Sequence, residues 1–196
     1  HRNPDPDPEV REQAVFWLSQ VRSEEALDAL QAILRESDDP DVQEKAVFAV
    51  SQHRSERAGQ ILRQYAESAS APAALREQAI FWIGQTSGGS QYLMEMYGRL
   101  QDPELKEKAI FGISQQRGEA KRQWLVERAR SSSEPLELRK TALFWAGQSG
   151  AFTVEELREL FRSFSDDELK EQVVFVASQR NEPGAVDFLM EVARNK

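Results

Sequence analysis

The chain has 196 residues, with 25 Lys and Arg against 33 Asp and Glu for a net charge of −8, no cysteine and only two histidines, His1 and His53. At 40% hydrophobic and 30% charged it is globular rather than disordered. Disulfides, thiol nucleophiles and thiolate metal sites are excluded, and no apolar run approaches the roughly 20 residues of a membrane span.

Read from the N-terminus, one motif recurs six times. Its copies are VREQAVFWLSQ (10–20), VQEKAVFAVSQ (42–52), LREQAIFWIGQ (75–85), LKEKAIFGISQ (105–115), LRKTALFWAGQ (138–148) and LKEQVVFVASQ (169–179). Their phenylalanines, Phe16, Phe48, Phe81, Phe111, Phe144 and Phe175, are spaced by 32, 33, 30, 33 and 31 residues. Such a period is the mark of a repeat architecture.

The spacing predicts a helix at each copy. In the first, Val10, Ala14, Trp17, Leu18 and Val21 fall on one helical face. Asp7-Pro8, Asp39-Pro40, Asp102-Pro103 and Glu134-Pro135 precede copies, and an acidic cap followed by Pro suits a helix start. A second amphipathic helix is predicted after each copy, for example 24–36 with Leu27, Leu30, Ile33 and Leu34, and 154–164 with Leu157, Leu160, Phe161 and Phe164. Gly88-Gly89, Gly118, Gly150 and Pro183-Gly184 mark turns between the two helices, and no strand is expected. Each repeat is therefore helix A, turn, helix B. Repeats are expected at about 7–37, 38–70, 71–101, 102–133, 134–165 and 166–196 of a single domain, 1–196.

The D-P-x-L/V-R/K-x-x-A pattern resembles HEAT repeats, in particular the short bacterial kind also found in phycocyanobilin lyases. That resemblance implies an all-α fold: a right-handed α-solenoid of six HEAT-like helical hairpins, about twelve helices. Such repeats serve as scaffolds, adaptors and a few enzymes, so the resemblance speaks to fold more than to function.

Three recurring positions carry further expectations. The residue after each Phe alternates in size, as Trp17, Ala49, Trp82, Gly112, Trp145 and Val176. Neighbouring helices pack about 8–10 Å apart, so the tryptophans are expected to be buried, filling space left by the small residues. A basic residue stands second in five copies (Arg11, Arg76, Lys106, Arg139, Lys170), with Gln43 the exception. In the repeats this chain resembles, that residue pairs with an acidic residue in an adjacent repeat. Arg35, Arg99, Arg130, Arg162 and Arg194 stand near B-helix ends, where the helix dipole favours a cation.

At 100° per residue, Phe16 points away from the face of Val10, Ala14 and Trp17. Six such rings, beside Gln20, Gln52, Gln85, Gln115, Gln148 and Gln179, form a candidate binding ladder on the A-helix surface, since exposed apolar surface marks interaction sites. Otherwise each Phe braces the neighbouring A helix and each Gln bonds backbone at the next turn.

Catalytic constellations are lacking. His53, in a turn, reads as a solvated surface residue with no companion for a triad or a metal, and no phosphate-binding glycine loop is present. No cofactor is expected. The expected role is a non-catalytic protein-interaction scaffold, the alternative an accessory protein binding a small ligand or tetrapyrrole on the B-helix surface. The partner is expected to be a protein, not nucleic acid, given the negative charge, with no membrane insertion. Self-association through the solenoid ends is a further expectation. The chain starts at His1 without an initiator Met and is expected to be a processed or excised form, its compartment open.

Overall fold

The computed structural model describes residues 7–194. They form helices alone, with no strand among the described residues. In chain order the six hairpins are α1 (Pro8–Gln20) with α2 (Glu24–Glu36), α3 (Pro40–Gln52) with α4 (Glu56–Glu67), and α5 (Ala73–Gly84) with α6 (Gly89–Tyr97). They continue with α7 (Pro103–Ser114) and α8 (Glu119–Arg130), α9 (Leu136–Gln148) and α10 (Val154–Ser163), and α11 (Asp167–Ser178) and α12 (Pro183–Arg194). The architecture is that of an α-solenoid of helical hairpins. Contacts divide it into two compact units, His1–Gly112 and Ile113–Lys196, with the division falling inside α7.

Helix starts follow from capping chemistry. Asp7, Asp39 and Asp166 accept backbone N–H bonds at the heads of α1, α3 and α11, and Asp102 accepts from Glu104 N at 2.9 Å ahead of α7. The Glu134-Pro135 step departs from this pattern. Pro135 is itself the cap residue, with no side-chain cap bond, and Glu134 pairs with Arg128 at 3.4 Å. Ser23, Ser55 and Thr153 cap α2, α4 and α10, the last as a reciprocal capping box with Glu156.

In the first unit α1, α3 and α5 pack side by side, and the B helices α2 and α4 lie against the A helices that follow them, α2 on α3 and α4 on α5. The second unit repeats this with α9 beside α11, α8 on α9 and α10 on α11. In the first unit the core comes from the first, fifth, sixth and ninth motif positions, Val42, Ala46, Val47 and Val50 in α3 and Leu75, Ala79, Ile80 and Ile83 in α5, with Leu27, Leu30, Ile61 and Leu93 buried on its B helices. In the second unit Leu125 and Leu157 are buried on the B helices α8 and α10.

Close approach is built in. A Cβ on Gly84 would lie 2.8 Å from Gly112 Cα, and one on Gly147 2.6 Å from Val176 Cγ1, so only glycine fits there without displacing the next A helix.

The tryptophans correct the sequence expectation. Ala49, Gly112 and Val176 are buried, but Trp17 is 61% exposed and Trp82 and Trp145 are only half-buried. Trp82 packs over Phe48 at a centroid distance of 5.2 Å instead of entering the seam between helices. The seam that glycine and alanine keep narrow has no room for an indole, which is pushed to its outer rim.

His53 also differs from expectation. It is buried, 8% exposed, and its Nε2–H donates to the Leu18 carbonyl at 3.2 Å. A carbonyl can only accept, so this bond fixes the protonated nitrogen.

The basic motif position makes backbone bonds where cross-repeat ion pairs were expected. Arg76 Nε donates to the Ala66 carbonyl at 3.2 Å and Arg139 Nε to the Ala129 carbonyl at 3.1 Å. Gln43 does the same to Leu34 and Ser37 at 3.3 and 2.7 Å. Each satisfies carbonyls that the end of the preceding B helix leaves open, which explains why Gln can stand in for Arg. Lys106 sits 5.0 Å over the Tyr97 ring, and Lys170 pairs with Asp167 in its own helix.

Two outcomes follow. Ile80→Ala should cost about 2–5 kcal/mol as a buried truncation, whereas Trp17→Ala in dilute protein should change stability by no more than ~0.5 kcal/mol, both read by urea denaturation. Arg76→Leu should cost about 1–3 kcal/mol by orphaning the Ala66 carbonyl. Arg76→Gln should recover much of that loss in the same assay.

Candidate functional site

The seventh motif position faces outward in both units. Phe16 is 50% exposed, Phe48 38%, Phe81 36% and Phe175 43%, while Phe111 and Phe144 are half-buried. In the first unit Phe81 stacks on Phe111 at 6.4 Å with an interplanar angle of 8°. Phe16 and Phe81 each hold their neighbouring tryptophan edge-on, at 5.3 and 5.0 Å. The second unit has the same arrangement, with Phe144 stacked on Phe175 at 6.2 Å and edge-on to Trp145 at 5.0 Å. The rings touch one another on the surface and still present their outer edges to water.

The glutamines are placed through a residue that the sequence reading passed over, the serine before them. Ser19, Ser51 and Ser178 donate their hydroxyls to the carbonyls of Phe16, Phe48 and Phe175 at 2.6–2.7 Å. The amides of Gln20, Gln52, Gln115 and Gln179 donate to Ser19, Ser51, Ser114 and Ser178 at 3.0–3.2 Å. Gln85 and Gln148 follow Gly84 and Gly147, so the adjacent residue offers them no hydroxyl. Five of the six glutamines are exposed, Gln52 being half-buried. The recurring Ser-Gln dipeptide was the available signal.

Carboxylates wall the aromatic floor in the first unit. A groove of about 480 Å³ between α3 and its neighbours is lined by Glu12, Asp41, Glu44, Lys45, Phe48 and Trp82. Lys45 is paired with Glu12, Lys108 with Glu77 at 3.4 Å, and Glu44 accepts from Gln78 at 3.2 Å. A second groove, of about 600 Å³, runs past the helix ends, where Gln52, Trp82 and Gln85 meet Arg54 and Arg63. A surface of this kind suits cationic and apolar side chains together, because an aromatic face attracts a cation and nearby carboxylates add to it.

The titrating cluster with the largest shifts lies on the B helices. The Tyr92 hydroxyl donates to Glu67 at 2.5 Å, and Arg99 pairs with the same carboxylate. Burial, reinforced by Glu67, pushes the phenol well up, and the Tyr92 bond holds Glu67 below the usual carboxylate range. This cluster ties α4 to α6 and is exposed on its carboxylate side. Burial pulls Lys121 down; its ammonium donates to the Ser114 carbonyl at 3.1 Å. Among the described residues no group of three or more His, Asp or Glu side chains is placed to hold a metal ion. No helix among them is long and apolar enough to cross a membrane.

Comparison with curated proteins finds no match. The family model for HEAT repeats matches residues 2–81, and helical hairpins of the same kind continue through α12 beyond that match.

Proposed function

We propose that the protein is a non-catalytic interaction scaffold whose aromatic and glutamine stripe binds an extended protein segment carrying basic and apolar side chains. HEAT repeats generally mediate protein–protein interaction. The observation that carries the reading is the outward phenylalanine kept in every copy, with four of the rings more than a third exposed. Glutamines at the foot of the stripe offer amide groups to a partner's backbone. The acidic walls near Phe48 oppose phosphate and favour Lys or Arg. Repetition along each unit lets one chain engage several weak sites in turn.

The ligand-binding alternative has less to stand on. A depression of about 200 Å³ on the B-helix side of the second unit is lined by Arg122, Gln123, Glu127, Arg130 and Glu156 with only Val126 and Phe152 as apolar residues, which is little apolar surface for a tetrapyrrole to cover.

The test is selection of displayed random peptides on the wild-type chain, with counter-selection on a Phe48→Ser, Phe81→Ser variant. The variant should keep its melting temperature within a few degrees. Peptides enriched on the wild type should be rich in Lys, Arg and apolar residues, and their affinity should fall as salt rises. Equal enrichment on both chains would refute the stripe as the binding surface.

A further inference from the structure

The two grooves of the first unit carry opposite charge and meet at one ring. The groove beside Phe48 sets three carboxylates, Glu12, Asp41 and Glu44, against Lys45, and Lys45 is taken up by Glu12. Asp41 and Glu44 are exposed and make no ion pair among the described residues. The groove past the helix ends sets Arg54 and Arg63 against a single carboxylate, Glu56. Both arginines are exposed and neither makes an ion pair among the described residues; Arg63 lies 4.6 Å over the Tyr92 ring. Trp82 lines both grooves. We propose that the segment bound at this rung is charge-ordered: a basic side chain beside Asp41 and Glu44, an apolar one on Phe48 and Trp82, and an acidic one at Arg54 and Arg63. This rests on the aromatic stripe as a binding surface and adds the path and the charge pattern of what binds there.

The spacing of the helix suits that of an extended chain. Glu44, Phe48 and Gln52 follow one another at four-residue steps along α3, a rise of about 6 Å each, and Arg54 stands two residues past the last. Side chains on one face of an extended segment recur every second residue, about 6.6 Å apart. A segment lying along α3 therefore places its residues i, i+2 and i+4 over the acidic groove, the rings and the basic groove in turn. Either chain direction meets this condition. What the surface reads is opposite charge on the two sides of an apolar residue.

The backbone at Arg54 is an independent sign that its side chain is used. Its φ of 48° lies in the left-handed region, which a Cβ makes costly. The same place in the fifth copy, two residues past Gln148, is Gly150 with φ 69°, the residue that such a turn favours. Arginine thus holds a glycine position, and its side chain makes no hydrogen bond, ion pair or ring contact among the described residues that would account for it. Backbone strain of this kind collects at functional sites. The order also recurs in the sequence. Glu12, Phe16, Gln20 and Arg22, and again Glu107, Phe111, Gln115 and Arg117, repeat the spacing of Glu44, Phe48, Gln52 and Arg54.

The test is a displayed peptide library of fixed pattern (charged, any, apolar, any, charged) in which each charged site is Lys or Glu. It is selected on the full chain and read by sequencing. On the wild type, members of mixed sign should be enriched about fivefold over doubly basic members, the ratio that one exposed ion pair supports, and further over doubly acidic ones. Arg54→Gly should keep or raise the melting temperature, because glycine suits the turn. Combined with Arg63→Gln, it should bring mixed and doubly basic members level. Arg54→Glu with Arg63→Glu should reverse the order in favour of doubly basic members. If doubly basic members match or exceed mixed ones on the wild type, while both lose enrichment on the Phe48→Ser, Phe81→Ser variant, the charge order is overturned and the stripe stands. A mixed-sign preference that survives the loss of both arginines overturns the charge order as well. A library with no member enriched on the wild type over the Phe48→Ser, Phe81→Ser variant overturns the stripe and the charge order together.

Discussion

An A helix in this fold has neighbours on almost every side. The helix α3 lies between α1 and α5, with α2 and α4 packed against it as well. Little of its circumference is left for water, so its apolar residues spread around the helix instead of forming one stripe. Val42, Ala46, Val47, Ala49 and Val50 are all buried. What remains outward is a line at i, i+4 and i+8 through Glu44, Phe48 and Gln52, and any function on this surface has to be written in those three positions. The B helices bear the opposite constraint. In α2, Ala26, Leu27, Leu30 and Leu34 are buried while Glu24, Asp28 and Arg35 face solvent, an ordinary amphipathic pattern.

Successive hairpins are joined by more than apolar burial. The end of each B helix leaves carbonyls without an intrahelical donor, and the next A helix supplies one through Gln43, Arg76 or Arg139. His53 serves the last turn of α1 in the same way. These bonds are directional and partly buried, so they set the register of one hairpin on the next. The cross-repeat ion pairs, such as Arg57 with Glu24 or Lys140 with Glu168 at 2.7 Å, lie in solvent-exposed positions and contribute little, because water screens them. Cohesion therefore resides in the seams, where a repeat protein's stability is close to a sum of neighbour terms.

The helical hairpin, its period and the outward direction of Phe16, Phe48, Phe81 and Phe175 were legible in the sequence, because all three follow from spacing and a 100° turn per residue. What was not legible depended on neighbours. The eighth motif position sits at the edge of the seam, where angle alone cannot tell core from rim. Ala49 enters, and Trp82 is turned outward onto Phe48. The basic second position looked like half of an ion pair because its acceptor is a backbone carbonyl, which no residue type announces. A lone histidine in a turn gave no hint of the Leu18 carbonyl opposite it, 35 residues earlier in the chain. The role of serine in seating the glutamines was missed for a simpler reason. The dipeptide was visible, but the back-bond from Ser51 to Phe48 only has meaning once the helix end is in place.

The aromatic stripe is costly as mere structure. Burying a phenylalanine fully yields about 1.5–3 kcal/mol, so a ring left 36–50% exposed forgoes a good part of that. Stacking Phe81 on Phe111 and Phe144 on Phe175 returns only part of it, since an aromatic pair adds about 0.5–1.5 kcal/mol. A Lys, Glu or Arg at the same position would span the neighbouring helix with its aliphatic stem, keep its charge in water and lower the risk of aggregation. The fold does use that solution one position away from the ring's own column, where Lys45 reaches Glu12 and Lys108 reaches Glu77. Those charges break the stripe into rungs and keep apolar surface from merging into one sheet, which suits a surface that must stay soluble when empty. Bracing alone would call for buried rings or polar replacements. Rings half in water and repeated in every copy, with carboxylates beside Phe48, are what the proposed binding surface would need.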